Sequence, residues 1–180
     1  ALRAPAGTYI AARLKDAEAR ARARRNDPVA AGLASFLAAH IEKERGHDDW
    51  LLADLDSIGV PRGQVLRRIP SPAIAALVGS QYYWVQHVHP VGLLGYIAMF
   101  EGYPPARQDI DQVQAATGYG PEAFRTLLLH ADLDTHHGDD LDDLLDSLPL
   151  TEQQRMLMGL SAISSVQLIT QARQELLDRF

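Results

Sequence analysis

The sequence predicts an all-α fold, a helical bundle of about seven helices. Three observations carry that expectation. Apolar residues recur at spacings of three and four along most of the chain. Short polar residues followed by proline, the signature of a helix start, stand at Asp27-Pro28 and Ser71-Pro72. No stretch alternates apolar and polar residues as a half-buried strand would. With 180 residues, 47% of them apolar, and no linker-like segment, one domain spanning residues 1–180 is expected, large enough to bury its own core. The chain opens on Ala-Leu-Arg rather than Met, so residues upstream are expected as well.

The elements follow in order. Thr8 to about Arg25 is rich in Ala and Arg, both strong helix formers. After Asn26-Asp27-Pro28 a second helix carries Val29, Leu33, Phe36, Leu37 and Ile41, and the same period runs on through Trp50, Leu51, Leu55 and Ile58 to a stop at Gly59-Val60-Pro61. Arg62 to Arg68 suits a short turn. Ser71-Pro72 opens a helix to about Val88, and Pro90 opens another through Phe100, ended by Gly102-Tyr103-Pro104-Pro105. Asp109 to Thr117 reads as a short helix. Gly120-Pro121 starts one that carries Phe124, Leu127 and Leu128 past His130, and Asp139 to Leu148 is amphipathic and acidic. Thr151 with Gln154 is a capping box for a long last helix to Leu177.

Composition narrows the chemistry. The chain has no cysteine, which removes disulfides, zinc ribbons, iron–sulfur clusters and thiol nucleophiles. Any metal must be held by nitrogen and oxygen ligands, a set that suits Fe, Mn, Zn, Co or Ni. A net charge of −6 and a pI near 5.6 speak against a nucleic-acid or anionic-membrane partner. No apolar run reaches the roughly 18 residues of a spanning helix, and no signal peptide is visible. A cytoplasmic location is the expectation.

Three groups of polar residues then stand out. His40, Glu44 and His47 lie at i, i+4 and i+7, within about 60° of one another on a continuous helix. Phe36, Leu37 and Leu51 fall near the same stripe. A carboxylate on a core-facing stripe is costly unless it is paired or binds a metal. His130, Asp134 and His137 repeat the i, i+4, i+7 spacing on another helix. Glu101 closes an otherwise apolar helix at its C-terminus, where the macrodipole disfavours a negative charge and a cation would compensate. With His40 set aside as an outer partner, three helices bring three carboxylates and three imidazoles, about the inventory that two metal ions need. Only one Glu-x-x-His is present, whereas ferritin-like di-iron bundles use two.

The combined pattern resembles the heme-oxygenase-like di-iron oxidases and oxygenases, the iron-containing redox enzymes. Glu44-Arg45-Gly46-His47 on one helix, Glu101 on a second, and His130, Asp134 and His137 on a third match that family's motifs in order, over about Phe36 to Leu148. The resemblance implies a seven-helix fold without heme and two iron ions, Mn or another divalent metal being the alternative. It implies O2 as co-substrate and a small organic substrate such as a fatty acid, an amino acid or an amine. Site one would use Glu44, His47 and His130; site two would use Glu101, Asp134 and His137, with Glu44 bridging. It further implies a mobile third ligand helix and a weakly held second iron, which the acidic crowd Asp132, Asp134, Asp139, Asp140, Asp142 and Asp143 would suit. A homodimer is the expected assembly.

Other polar residues have plainer readings. His40 reads as a partner orienting Glu44, His136 as exposed, and His87 and His89 as capping or surface groups. Tyr82, Tyr83 and Trp84 are expected in the core, with Gln81 undecided. Arg125 reads as an ion-pair partner, and the Arg20-Arg22-Arg24-Arg25 patch as a solvated face. Rival functions are a non-catalytic helical protein that binds a partner and uses the polar cluster as internal glue, and a heme-degrading enzyme. The latter needs a histidine near the chain start, and the first here is His40. A thiaminase-like hydrolase needs a cysteine nucleophile and finds none.

Overall fold

The computed structural model describes residues 6–103 and 105–178, with side chains described from residue 12 onward except those of 132–138. Among these residues all regular structure is helical, and there are nine α-helices. They are α1 (Ala6–Ala23), α2 (Pro28–Lys43), α3 (His47–Ser57), α4 (Arg62–Leu66), α5 (Pro72–Tyr83), α6 (Leu93–Glu101), α7 (Arg107–Thr117), α8 (Arg125–Ser147) and α9 (Glu152–Leu177). A π-turn at Trp84–Val88 and a 3-10 turn at Pro90–Gly92 join α5 to α6.

Local chemistry sets the starts. The Asp27 carboxylate accepts the Val29 N–H at 2.9 Å ahead of Pro28. The Ser71 hydroxyl does the same for Ile74 at 3.4 Å. Thr151 and Gln154 exchange bonds at 3.2 and 2.9 Å in the expected capping box. Each satisfies amide groups that a helix start leaves without partners.

One expectation needs correction. His40, Glu44 and His47 do not share a continuous helix. α2 ends at Lys43, Glu44 is its C-cap, and Gly46 takes a left-handed φ of 88° before α3 begins at His47. A residue with a Cβ resists that conformation, so glycine is what permits the turn. The break also resets the helical phase. Leu51, placed on the core stripe by the unbroken period, is 47% exposed, and Leu52 is buried instead.

The core forms where the apolar stripes meet. Leu14, Ala17 and Ala21 of α1 lie against Ala30, Leu33, Ala34 and Leu37 of α2. Their small side chains let the two helices approach closely. α6 adds Leu93, Leu94 and Ile97, and α8 adds Leu141 and Leu144. α9 backs α5 and α6. A Cβ on Gly95 of α6 would stand 2.2 Å from the Met158 carbonyl oxygen of α9, so only glycine allows that approach. Buried Gln81 bridges α5 to Ser161 and Ser165 of α9 at 3.3 Å each, which assigns it to the scaffold. Tyr82 and Trp84 are partly buried, but Tyr83 is 55% exposed, so the aromatic block is only partly internal. No helix among the described residues is long and apolar enough to cross a membrane.

Candidate metal centre

Four helices deliver the polar cluster. α2 supplies His40 and its C-cap Glu44, α3 opens on His47, α6 closes on Glu101, and α8 carries His130 in its second turn. One ligand atom from each of Glu44, His47 and His130 lies within 4.8 Å of the other two, and the same holds for His40, Glu44 and Glu101. Glu44 belongs to both groups and stands between them. The break at Gly46 therefore separates two helices without separating their ligands.

The pairings are close. His47 Nδ1 lies 3.2 Å from Glu44 Oε2, and His40 Nε2 lies 3.0 Å from Glu101 Oε1. His40 is 4% exposed, and the other members are partly buried. Burial opposes a charge on His40, but the hydrogen bond it donates to Glu101 and the charges of Glu101 and Glu44 outweigh it and raise the imidazole above its usual value.

Whether these residues suit a cation can be judged from their bonding. His47 Nδ1 is buried and makes no hydrogen bond among the described residues, although a carboxylate oxygen is only 3.2 Å away. The two atoms are near each other without being aligned as donor and acceptor. Two ligand atoms each about 2.1 Å from a shared ion lie roughly this far apart. A nitrogen and oxygen set of this kind suits iron, manganese or zinc. The residues fit the group.

The surroundings hold the imidazoles in place. His130 Nδ1 donates to the Thr126 carbonyl at 2.8 Å, because that oxygen can only accept, and this leaves Nε2 to face the cluster. The His47 ring stacks on Trp50 at 4.2 Å and meets the His130 ring edge-on at 4.9 Å. Phe36 stacks on His40 at 5.4 Å. A groove of about 440 Å³ between α2 and α8 reaches His40, lined on its apolar side by Phe36, Ala39 and Leu144, with Lys43 and Asp140 paired at its edge.

Of the six ligands expected from the sequence, the structure brings together Glu44, His47, Glu101 and His130. Asp134 and His137 follow His130 on α8 at the same spacing, but their side chains, like that of His136, lie outside the described residues. His40 turns to Glu101 as well as standing by Glu44, a pairing that spacing within one helix cannot show. His89 caps as expected, accepting the Val91 N–H at 3.0 Å and bonding Asp27 at 2.7 Å. Arg125 lies 3.8 Å from Asp54, the ion-pair role expected of it. The Arg patch is largely solvated, with Arg20 and Arg22 paired to Asp16 and Glu18 one turn earlier. Asp54 escaped the sequence reading, and Trp50 entered it only as an apolar residue of the helical period. Their only signal is a lone acid and an aromatic inside the apolar run Trp50-Leu51-Leu52-Ala53-Asp54-Leu55.

A model of the family described as iron-containing redox enzyme matches residues 13–167. The chain belongs to that family. It is also similar to a crystal structure described as a domain of unknown function with a heme oxygenase-like fold from Shewanella denitrificans OS217. The TM-score is 0.68 at 21% identity, over 97% of this chain and 81% of that one. The fold is therefore heme-oxygenase-like, as the sequence motifs imply. No curated protein matches the chain. Family membership makes iron the metal to test against the cluster of Glu44, His47, Glu101 and His130.

Proposed function

We propose that this protein is a non-heme iron oxidase or oxygenase that uses O2 to oxidise a small organic molecule. The observation that carries the reading is the convergence of two ligand groups on a shared Glu44, with His47 Nδ1 buried and without a hydrogen bond among the described residues. Glu44, His47 and His130 would hold one ion. Glu44 and Glu101 would hold a second, with Asp134 and His137 of α8 completing it, and manganese could replace iron. When bound, ferrous iron supplies the electrons that O2 reduction requires.

The protein's own residues do the rest. Carboxylates offset the charge of bare ions, which heme does not need. The Thr126 carbonyl fixes the His130 tautomer, and Trp50 and Phe36 shield the histidines from water. The groove at His40 is of a size that suits a small ligand with an apolar body, such as a fatty acid, an amino acid or an amine.

Protein produced with ferrous supplement should purify with iron, and His130→Ala and Glu101→Ala should each lower the iron content. Unchanged metal in both variants would sink the reading. A second reading has one observation in its favour: His40 and Glu101, both core-facing, pair directly with each other at 3.0 Å. A metal-free helical protein would show no bound iron at saturating ferrous ion and an unchanged melting temperature.

A further inference from the structure

α8 lacks a cap of its own. Its N-cap residue is Phe124, which has no side-chain acceptor and makes no side-chain cap hydrogen bond. The first-turn amide of Thr126 is satisfied from another helix. Asp54 of α3, 4% exposed, accepts the Thr126 N–H through Oδ2 at 2.7 Å. The carboxylate sits at the positive end of the α8 macrodipole, with the Arg125 guanidinium 3.8 Å from Oδ1. Burying an acid this deeply is costly, and a structural cap could be made more cheaply by a serine at the N-cap.

What this cap holds is more than a helix end. The residue whose N–H it grips is the residue whose carbonyl accepts the His130 Nδ1–H at 2.8 Å. Asp54, Thr126 and His130 therefore form one line of directed bonds from α3 into the cluster. α3 also begins at His47 and carries Trp50, which packs on both histidines. One helix thus supplies a candidate ligand and anchors the helix bearing another.

We propose that Asp54 is a positioning residue for the metal centre, setting the place and tautomer of His130 by gripping the Thr126 backbone. This rests on the metal-centre reading above. Neutral imidazole in water favours neither fixed orientation nor the Nδ1–H form. The Asp54 line selects both and presents Nε2 toward Glu44 and His47. Partners of this outer kind typically change metal affinity by about ten- to a hundredfold.

The test uses the full chain with Co2+, whose visible absorption reports ligand geometry, and 15N NMR of the histidine rings in the metal-free protein. Wild type should bind Co2+ with a ligand-field band that His130→Ala loses. Asp54→Ala should weaken Co2+ binding by about ten- to a hundredfold and change the band. Asp54→Asn keeps an acceptor oxygen but not the charge, so its loss should be smaller. In the metal-free wild type the His130 ring should be in the Nδ1–H form, and Asp54→Ala should mix the two forms. Should Asp54→Ala not fold, Asp54→Asn decides, since binding and a band identical to wild type overturn the proposal. A lower melting temperature with unchanged affinity and band also overturns it, because that is what a cap alone would do. Wild type that binds no metal overturns both this proposal and the reading beneath it, whereas wild-type binding lost in His130→Ala but kept in the Asp54 variants overturns this one alone.

Discussion

A histidine nitrogen and a carboxylate oxygen about 3 Å apart can share a proton or share a cation, and His40 with Glu101 is such a pair. Burial disfavours the imidazolium, yet the Glu101 hydrogen bond and the charges of Glu101 and Glu44 hold the folded pKa above the usual 6.5. A raised pKa in the fold stabilises the protein fully below the unfolded value, near 6.5, and that contribution fades as pH rises through the folded value. Metal-free Glu101→Gln should therefore melt below wild type at pH 6, with the gap narrowing as pH rises. Melts in chelator across pH 6 to 9 measure this, and a gap that stays constant over that range would count against the pairing. Some of this scale is legible from sequence alone. Glu44, His47 and His130 stand out because ligand-type residues recur around them at helical spacing, although Glu44 and His47 meet across the turn at Gly46 and not on one helix. Asp54 does not, because its partner is a backbone amide 72 residues away, and no residue type announces an amide.

Between residues and the whole stand the helix ends. Asp27-Pro28, Ser71-Pro72 and Thr151 with Gln154 act within three residues, so they read directly from sequence and recur in the structure. The end of α2 does not. Gly46 sits inside an apolar period that a straight helix would also satisfy, and the turn places α3 against α1 and α8, contacts that the local sequence does not announce. The consequence is visible in phase, since Leu51 turns outward and Leu52 inward. Glu44 and His47 stay 3.2 Å apart across the turn. Gly46→Ala isolates the backbone term, because a Cβ there meets nothing within 4 Å while φ is 88°. A left-handed alanine costs about 1–2 kcal/mol, which lowers the melting temperature of a chain this size by roughly 2–8 °C. Gly46→Asn should cost less, since asparagine tolerates that conformation. Melting temperatures equal to wild type in the alanine variant would mean that α2 and α3 can run through as one helix.

At the scale of the molecule, the question is how anything other than a metal reaches the cluster. Among the described residues, three recesses stand out in the surface. One of about 620 Å³ lies at Ala23–Pro28 and Gln154, and one of about 370 Å³ lies between Arg107 and Leu129. Neither is lined by a residue of the cluster. The groove of about 440 Å³ between α2 and α8 is, through His40, and its walls are the two helices that supply His40 and His130. Its position follows from the fold: α1 covers one side of α2, which leaves the side bearing Ser35, Phe36 and Ala39 to face α8. Volume and lining suit a small molecule with an apolar body, while the Lys43–Asp140 pair at the edge offers a charge of either sign to a polar end. Ala39 is exposed in this groove and is not among the proposed ligands, so enlarging it tests access. Ala39→Trp should keep the iron content of wild type and reduce substrate-stimulated O2 uptake at least about tenfold, a loss of about 1.4 kcal/mol or more of transition-state stabilisation. Oxygen-electrode traces with a panel of fatty acids, amino acids and amines measure it. Equal stimulation in wild type and Ala39→Trp would move the proposed substrate route away from the α2–α8 groove without bearing on the proposed metal site.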